Sequence, residues 1–487
     1  MDQPIDANPE TTAAFVGRAL RGPLNTPILV NNIGEFRRRF GGTWTRSSLG
    51  PAVEQFFAHG GKRLYIVRVA NNAKGAMICL PANGSGLVLR AIEPGSTEHV
   101  RASVDYDGID ASDEEHFNLT LQRLDPDRHV VTDQEFFQKV SFLKQSDAYV
   151  GESLLTSSLV RLEKPLPTRR PEVTRSRSNS FDTAYVAPAQ AGSDGTELSD
   201  YDLVGSRQDG SGLFALQVVD HLDLLYLPPP GKGIDTGPAA LLAAERFCRE
   251  RHALLITDPP AEWTSVDRAI EGVRNLGFAS PHMFGYFPRV GQRGDENSLR
   301  KVAGGAIAGL LCKLDRIYGP WQDTDQQGLG LQRQFEPVIA LDEKDTRVLA
   351  REGLNSIAAG PAGKARIRGG VTLGRGSEVN HVFASLPVRR LCNRVIATVD
   401  DITRWAVFEA PDAELALRQS ARIRHYLGEL HELGALENDR FVAQCNGETI
   451  LLGFQPRGCG RPVLLTLHQT PSGCTVASTA FAPAELP

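Results

Sequence analysis

The stretch from Asp223 to Phe287 constrains the fold more than any other part of the chain. Three apolar runs of strand length occur there: DLLYLPP, ALLITDPP and HMFGYF. Prolines end the first two. The helical stretch GPAALLAAERFCRERH separates the first pair, with Pro238 in its first turn, where a missing N–H does no harm. A second, TSVDRAIEGVRNLG, leads to the third run. Strands apolar on both sides must be covered on both faces. A β-α-β-α-β order joins such strands by crossovers, so this part is predicted to form a parallel α/β sheet.

The opening of the chain has the same character. AAFVG and TPILV read as strands with Gly22-Pro23 between them. IGEFRRRFGG reads as a short helix closed by Gly41-Gly42, and LGPAVEQFFAHGG as a longer one ending at Gly60-Gly61. RLYIVRV is apolar on both sides, as a central strand would be.

Residues 76–163 read as β-rich, with VRASVDY and FNLTLQRL flanking the acidic turn DGIDASDEEH. From Lys164 to Gly212 the composition shifts to Pro, Arg, Ser and Gly, which predicts an exposed loop or linker. After residue 297 the chain is helix-rich. PDAELALRQSARIRHYLGELHELGA is its longest clear helix, and DRFVAQC, TILLGF, PVLLTLH and CTVAST close it as strands. The expected division is a 1–12 arm, an inner domain from 13–75 and 297–487, an outer β-rich insertion at 76–163, a 164–212 linker and an outer α/β part at 213–296. The class is α/β in a multi-domain arrangement.

Charge excludes one large class of function. Lys+Arg 53 against Asp+Glu 58 gives a net −5, without the basic excess of a general nucleic-acid binder. The Leu213–Leu227 stretch is broken by Gln217, Asp220, His221 and Asp223 and is too short to span a bilayer. The first dozen residues carry no signal-peptide pattern, so cytoplasmic synthesis is expected. Seven cysteines without CxxC spacing argue for reduced, buried thiols over zinc or disulfides.

Catalytic patterns fail one by one. GPAGKAR lacks the span and the Ser/Thr of a P-loop. Gly108 follows Asp105 and Asp107 too early for an EF-hand. His425 and His431 are six apart and share no helix face. Asp258 stands at a strand C-terminus, where α/β enzymes keep catalytic groups; a turn or cap role is the plainer reading. No cofactor or metal is called for. The enzyme alternative requires a pocket at those strand ends holding Asp258 and a second perturbed polar group.

Residues from both ends resemble one family. TAAFVGRALRGPLNTPILVNNIGEFRRRFGG and LGPAVEQFFAHGGKRLYIVRV are similar to the start of contractile tail sheath proteins of phages, R-type bacteriocins and extracellular injection systems. GLNSIAAGPAGKARIRGGVTL, LPVRRLCNRVIATVDDITRWAVFEAPDAEL and GFQPRGCGRPVLLTLHQ resemble their C-terminal half. The likeness covers about 15–90 and 215–470. Its core motif is matched by Arg389, Arg390, Trp405, Phe408 and Glu409.

The resemblance implies a structural protein that assembles in the cytoplasm and becomes part of a phage-like or extracellular contractile particle. Six-membered rings of sheath subunits would stack around an inner tube, bounded by baseplate or cap proteins. Contraction would drive the tube through a target envelope without cofactor, nucleic acid or membrane insertion. Neighbours would join by strand addition. On the long helix Arg418, Arg422 and His425 fall at i, i+4 and i+7, opposite Ala416, Ile423, Leu427 and Leu430. That basic face is the expected tube-facing interface. Only about ten residues precede Thr11, where the family usually carries a longer arm; two readings fit, an end-ring or minor sheath subunit beside the baseplate, which is slightly favoured, and a divergent main sheath linked mainly through its C-terminal strands.

Overall fold

A computed structural model describes residues 6–175, 184–231, 233–277, 279–292, 301–325, 328–360, 363–374, 383–409, 413–471 and 473–481. Its centre is an eight-stranded sheet. Across it run Ala365–Arg368, Asn355–Ala359, Met283–Phe287, Leu254–Thr257, Leu224–Tyr226, Ala13–Gly17, Leu64–Arg68 and Ile28–Val30. The six middle strands are parallel and the two edge strands antiparallel to their neighbours. Strands 13–17 and 28–30 do not pair with each other, because 64–68 lies between them.

The register corrects the expected partition. Ala13 pairs with Leu64 on one side and with Leu224 on the other. The 213–296 stretch is therefore continuous with the 13–75 sheet and not an outer part of its own. Alternating side chains explain why both faces had to be covered. Phe15, Tyr226, Ile256 and Phe284 point into one core, and Val16, Leu225, Leu255 and Met283 into the other. Helices Leu49–Ala58 and Gly304–Tyr318 line the first face, and Pro238–Glu250 packs in the second.

Helices 49–58 and 304–318 approach closely because of two glycines. A Cβ at Gly305 would stand 2.2 Å from the Ala52 carbonyl oxygen, and one at Gly309 2.3 Å from that of Phe56. Ile307, Leu310, Leu311 and Leu314 then bury fully against the sheet and its neighbours, each worth roughly 1.5–3 kcal/mol.

The 76–163 insertion is β-rich as expected. One three-stranded sheet joins Met77–Ala82, Ser85–Ala91 and Val160–Glu163; another joins His99–Asp105, His116–Leu124 and Val131–Ser141. The 164–212 stretch is not a free linker. Bridges Met77↔Gln190, Lys74↔Ser193 and Asn71↔Thr196 carry it back along the lobe, and a short helix, Asp200–Val204, follows. Backbone pairing satisfies donors that a solvated loop would leave to water. Part of its Arg/Ser run, 176–183, lies outside the described residues.

The C-terminal unit comprises helix Leu386–Thr403, a 3-10 turn Arg404–Phe408, helix Ala413–Glu432 and an antiparallel meander. Its strands are Val442–Asn446, Thr449–Phe454, Val463–Thr470 and Gly473–Phe481. Ile423, Leu427 and Leu430 pack with Val395, Leu452 and Leu465 in its core, which also takes Ala7 from the start of the chain. The two chain ends thus meet, as the sequence suggested.

Candidate assembly surface and the joint behind it

Helix 386–403 carries three arginines, all buried, and each has a separate task. Arg390 ion-pairs with Asp315 of helix 304–318; the two side chains are 4% and 2% exposed. Thr11 donates its hydroxyl to the same carboxylate at 2.5 Å, and Asn8 Nδ2 donates to the Asp315 carbonyl at 3.2 Å. One turn further along, Arg394 donates to the Pro9 carbonyl at 2.6 Å, to Thr11 Oγ1 at 3.4 Å and to Asp223 at 3.1 Å. The other oxygen of Asp223 accepts the Thr12 amide at 2.8 Å. Burial alone would pull the Arg394 guanidinium down, yet Asp223 and Asp315 outweigh it and hold it above the usual arginine range. The segment 8–12 is therefore clamped between the C-terminal unit and the central sheet.

Arg389 is held differently. It stacks over the Phe383 ring at 4.3 Å and donates to His282 at 2.8 Å. No carboxylate reaches it among the described residues. Burial lowers it to about 10, and burial together with the Arg389 charge holds His282 down to about 2, so the imidazole is neutral. The other matched residues are at the surface. Trp405 sits half out of the 3-10 turn with Nε1 donating to the Ile402 carbonyl at 2.8 Å, Phe408 is 76% exposed, and Glu409 is exposed beside it.

The proposed basic face divides. Arg418 and His425 are exposed, with Leu417 69% exposed between turns; His425 reaches Glu429 at 3.4 Å. Arg422 is half-buried and lines a cleft. Sequence reasoning missed Asp315, Asp223 and Thr11. The one available signal was Arg390 and Arg394 at i, i+4 within an apolar helix, a spacing that calls for buried acceptors.

That cleft, of about 1250 Å³, opens between the C-terminal unit and the sheet. Arg63, Asp223 and His252 line it, each directly preceding a parallel strand or nearly so. It thus lies at the N-terminal strand ends, opposite the edge where open α/β sheets bind ligands. Across it His221 meets Asp401 at 3.1 Å and His252 Nε2 meets the Cys474 carbonyl at 2.9 Å. The Asp401 contact raises His221 above the usual histidine range.

At the C-terminal strand ends the cavity beside Asp258 measures only about 50 Å³. Asp258 accepts from the Tyr226 hydroxyl and, at 3.1 Å, from the Gly304 amide that opens helix 304–318. Burial raises its carboxyl to about 6, and burial with the adjacent Asp258 raises the Tyr226 phenol. The perturbed groups required by an enzyme are present, but they form a helix cap beside a space that holds no more than a few waters. Among the described residues no His/Cys/Asp/Glu cluster suits a metal, and no helix is long and apolar enough to cross a membrane.

The fold is that of contractile-tail sheath proteins. The chain is similar to the sheath tail protein of Listeria innocua (TM-score 0.61, 11% identity, 94% of each chain). It is also similar to that of Desulfitobacterium hafniense (TM-score 0.56, 11% identity, 96% of this chain and 98% of that one). The anti-feeding prophage helical sheath in the contracted state matches at a TM-score of 0.51 and 12% identity, over 100% and 96% of the two chains. No protein-family model matches the sequence, and no curated protein matches it significantly.

Proposed function

We propose that this chain is a structural subunit of a contractile sheath. The observation that carries the reading is the sheath fold over nearly the whole chain, both of this protein and of those it matches. Six copies form a ring, rings stack around an inner tube, and baseplate or cap proteins bound the stack. The subunit assembles in the cytoplasm and works in a phage-like or extracellular particle. Work comes from exchanging one set of heterologous contacts for another of lower free energy. Two features favour this over catalysis: the large cleft is at the wrong strand ends, and Asp258 is committed to capping a helix. The C-terminal meander supplies the surface for strand addition, since strands 442–446 and 473–481 each pair on one side only among the described residues.

The tube faces helix 413–432 through Arg418 and His425, with Arg422 at the cleft margin. Negative-stain microscopy of the full chain, alone and with the tube protein of the same particle, tests the proposal. Rings or striated cylinders are expected, and density then assigns the chain to the trunk or to a ring beside the baseplate. Arg418→Glu with Arg422→Glu should release the tube while the subunit still folds. A solitary protein in both preparations refutes the sheath; cylinders gripping the tube equally well after charge reversal refute only the tube face.

A further inference from the structure

The acidic chain carries a basic surface that nothing above uses. Helix 304–318 ends on Lys313, Arg316, Ile317 and Tyr318, all exposed, the last two by 54% and 49%. Lys313 lies along Gly60, where an added Cβ would stand 3.0 Å from its Cδ, and Arg316 donates to the Gly60 carbonyl at 3.2 Å. Lys62 follows two residues on and is exposed. From the other side the 330–333 segment arrives: Gln332 donates its amide to His59 Nε2 at 3.0 Å, bringing exposed Arg333, while Lys364 packs on Gly330. Burial holds His59 low, and Lys364 and Lys313 add to this, so both ammonium groups are felt at the imidazole between them. None of the five cations forms an ion pair among the described residues. The acids on the same two helices are committed elsewhere, Glu54 to Arg37 and Asp315 to Arg390.

The opposite charge is concentrated at another place on the same chain. The turn joining strands 99–105 and 116–124 holds Asp105, Asp107, Asp110, Asp113, Glu114 and Glu115. Its shape is fixed from within. Ser112 donates its amide and hydroxyl to Asp110, and the amides of residues 115 and 116 donate to Asp113. Among the described residues His116 contacts Asp113, and the Arg170 guanidinium serves backbone carbonyls. Such bonds favour the charged carboxylates and present them without an ordering penalty.

We infer that the Lys62/Lys313/Arg316/Arg333/Lys364 surface receives the 105–115 turn of a second copy of this chain, an inference that rests on the sheath reading. The two patches belong to different parts of the subunit, the central sheet's helix layer and the insertion. Engaged by two different neighbours, the pair makes a head-to-tail contact, and such a contact propagates into rings or helices. Tyr318 and Ile317 provide the apolar centre such a contact needs, and the charges set its partner and orientation.

Carbodiimide coupling of the assembled full chain, prepared from mixed isotope-labelled and unlabelled copies, followed by peptide mass spectrometry, tests it. Links from Lys62, Lys313 or Lys364 to Asp107, Asp110, Asp113 or Glu114 between differently labelled copies are expected. Lys313→Glu with Arg316→Glu should raise the concentration needed for assembly at least tenfold, and added salt should act in the same direction. Restoring assembly with Asp110→Lys and Glu114→Lys in the same chain distinguishes repaired contact from misfolding. Polymers whose links run elsewhere, or whose threshold ignores the reversal, overturn this contact and leave the sheath standing. Wild-type protein that stays solitary at low ionic strength, both alone and with the tube protein, overturns both.

Discussion

Replacing Asp315 with leucine tests the clamp on the start of the chain. The substitution removes the acceptor for Arg390 and for the Thr11 hydroxyl. Breaking a buried ion pair from one side costs about 3–5 kcal/mol, because the remaining charge keeps its desolvation without its partner. A hydrogen bond to a charged acceptor is worth about 1.5–3 kcal/mol more, though the two overlap at one carboxylate. Arg390 has little to fall back on, since its Nη1 is already without a partner. Asp315→Leu should therefore lower stability by about 4 kcal/mol, and Arg390→Met by about 3 kcal/mol. The double variant should recover at least about 2 kcal/mol of their sum, because neither bare charge remains. Urea unfolding measures the cycle, and amide hydrogen exchange at Thr12, held by Asp223, reports release of segment 8–12. Single variants within about 1 kcal/mol of wild type, or strictly additive losses, would refute the argument. Arg389→Met is the internal control: no carboxylate depends on Arg389 among the described residues, so its loss should stay within about 1 kcal/mol.

Asp258 gives a pH dependence of defined sign. Its folded carboxyl titrates at about 6 against an ordinary 3.8, so the folded state holds the proton more tightly. The stabilisation is complete below 3.8 and is lost as pH rises through 6, a difference of roughly 3 kcal/mol. Denaturation from pH 4 to pH 7 should show that fall in wild type and a flatter line in Asp258→Asn; equal slopes would count against burial as the cause. Gly305→Ala gains helix propensity but drives a methyl into the Ala52 carbonyl. A net loss of about 1–3 kcal/mol is expected by thermal unfolding, and a stabilised variant would mean that the two helices separate freely.

Local signals carried much of the fold. The parallel strands 224–226, 254–257 and 283–287, the helices between them and the four tail strands all follow from apolar runs and their punctuation. Sheet order did not, because pairing Ala13 with Leu224 spans the entire insertion and leaves no local mark. That is why 213–296 looked separable. The 164–212 stretch misled for another reason: its backbone pairs with residues 71–77 while its polar side chains point to water. At the surface, exposed Arg418 and His425 follow from helical spacing, whereas the different fates of Arg389 and Arg390 depend on His282, Phe383 and Asp315, each distant in sequence.

The position of strand 13–17 has a consequence for biosynthesis. It sits between 64–68 and 224–226, so one of its edges stays bare until residue 226 has left the ribosome. The insertion, whose two small sheets share a core of their own, is fully translated well before then. Vectorial synthesis thus leaves a half-built sheet waiting beside a finished lobe, and that interval is when nascent subunits are most open to capture by a chaperone or by one another.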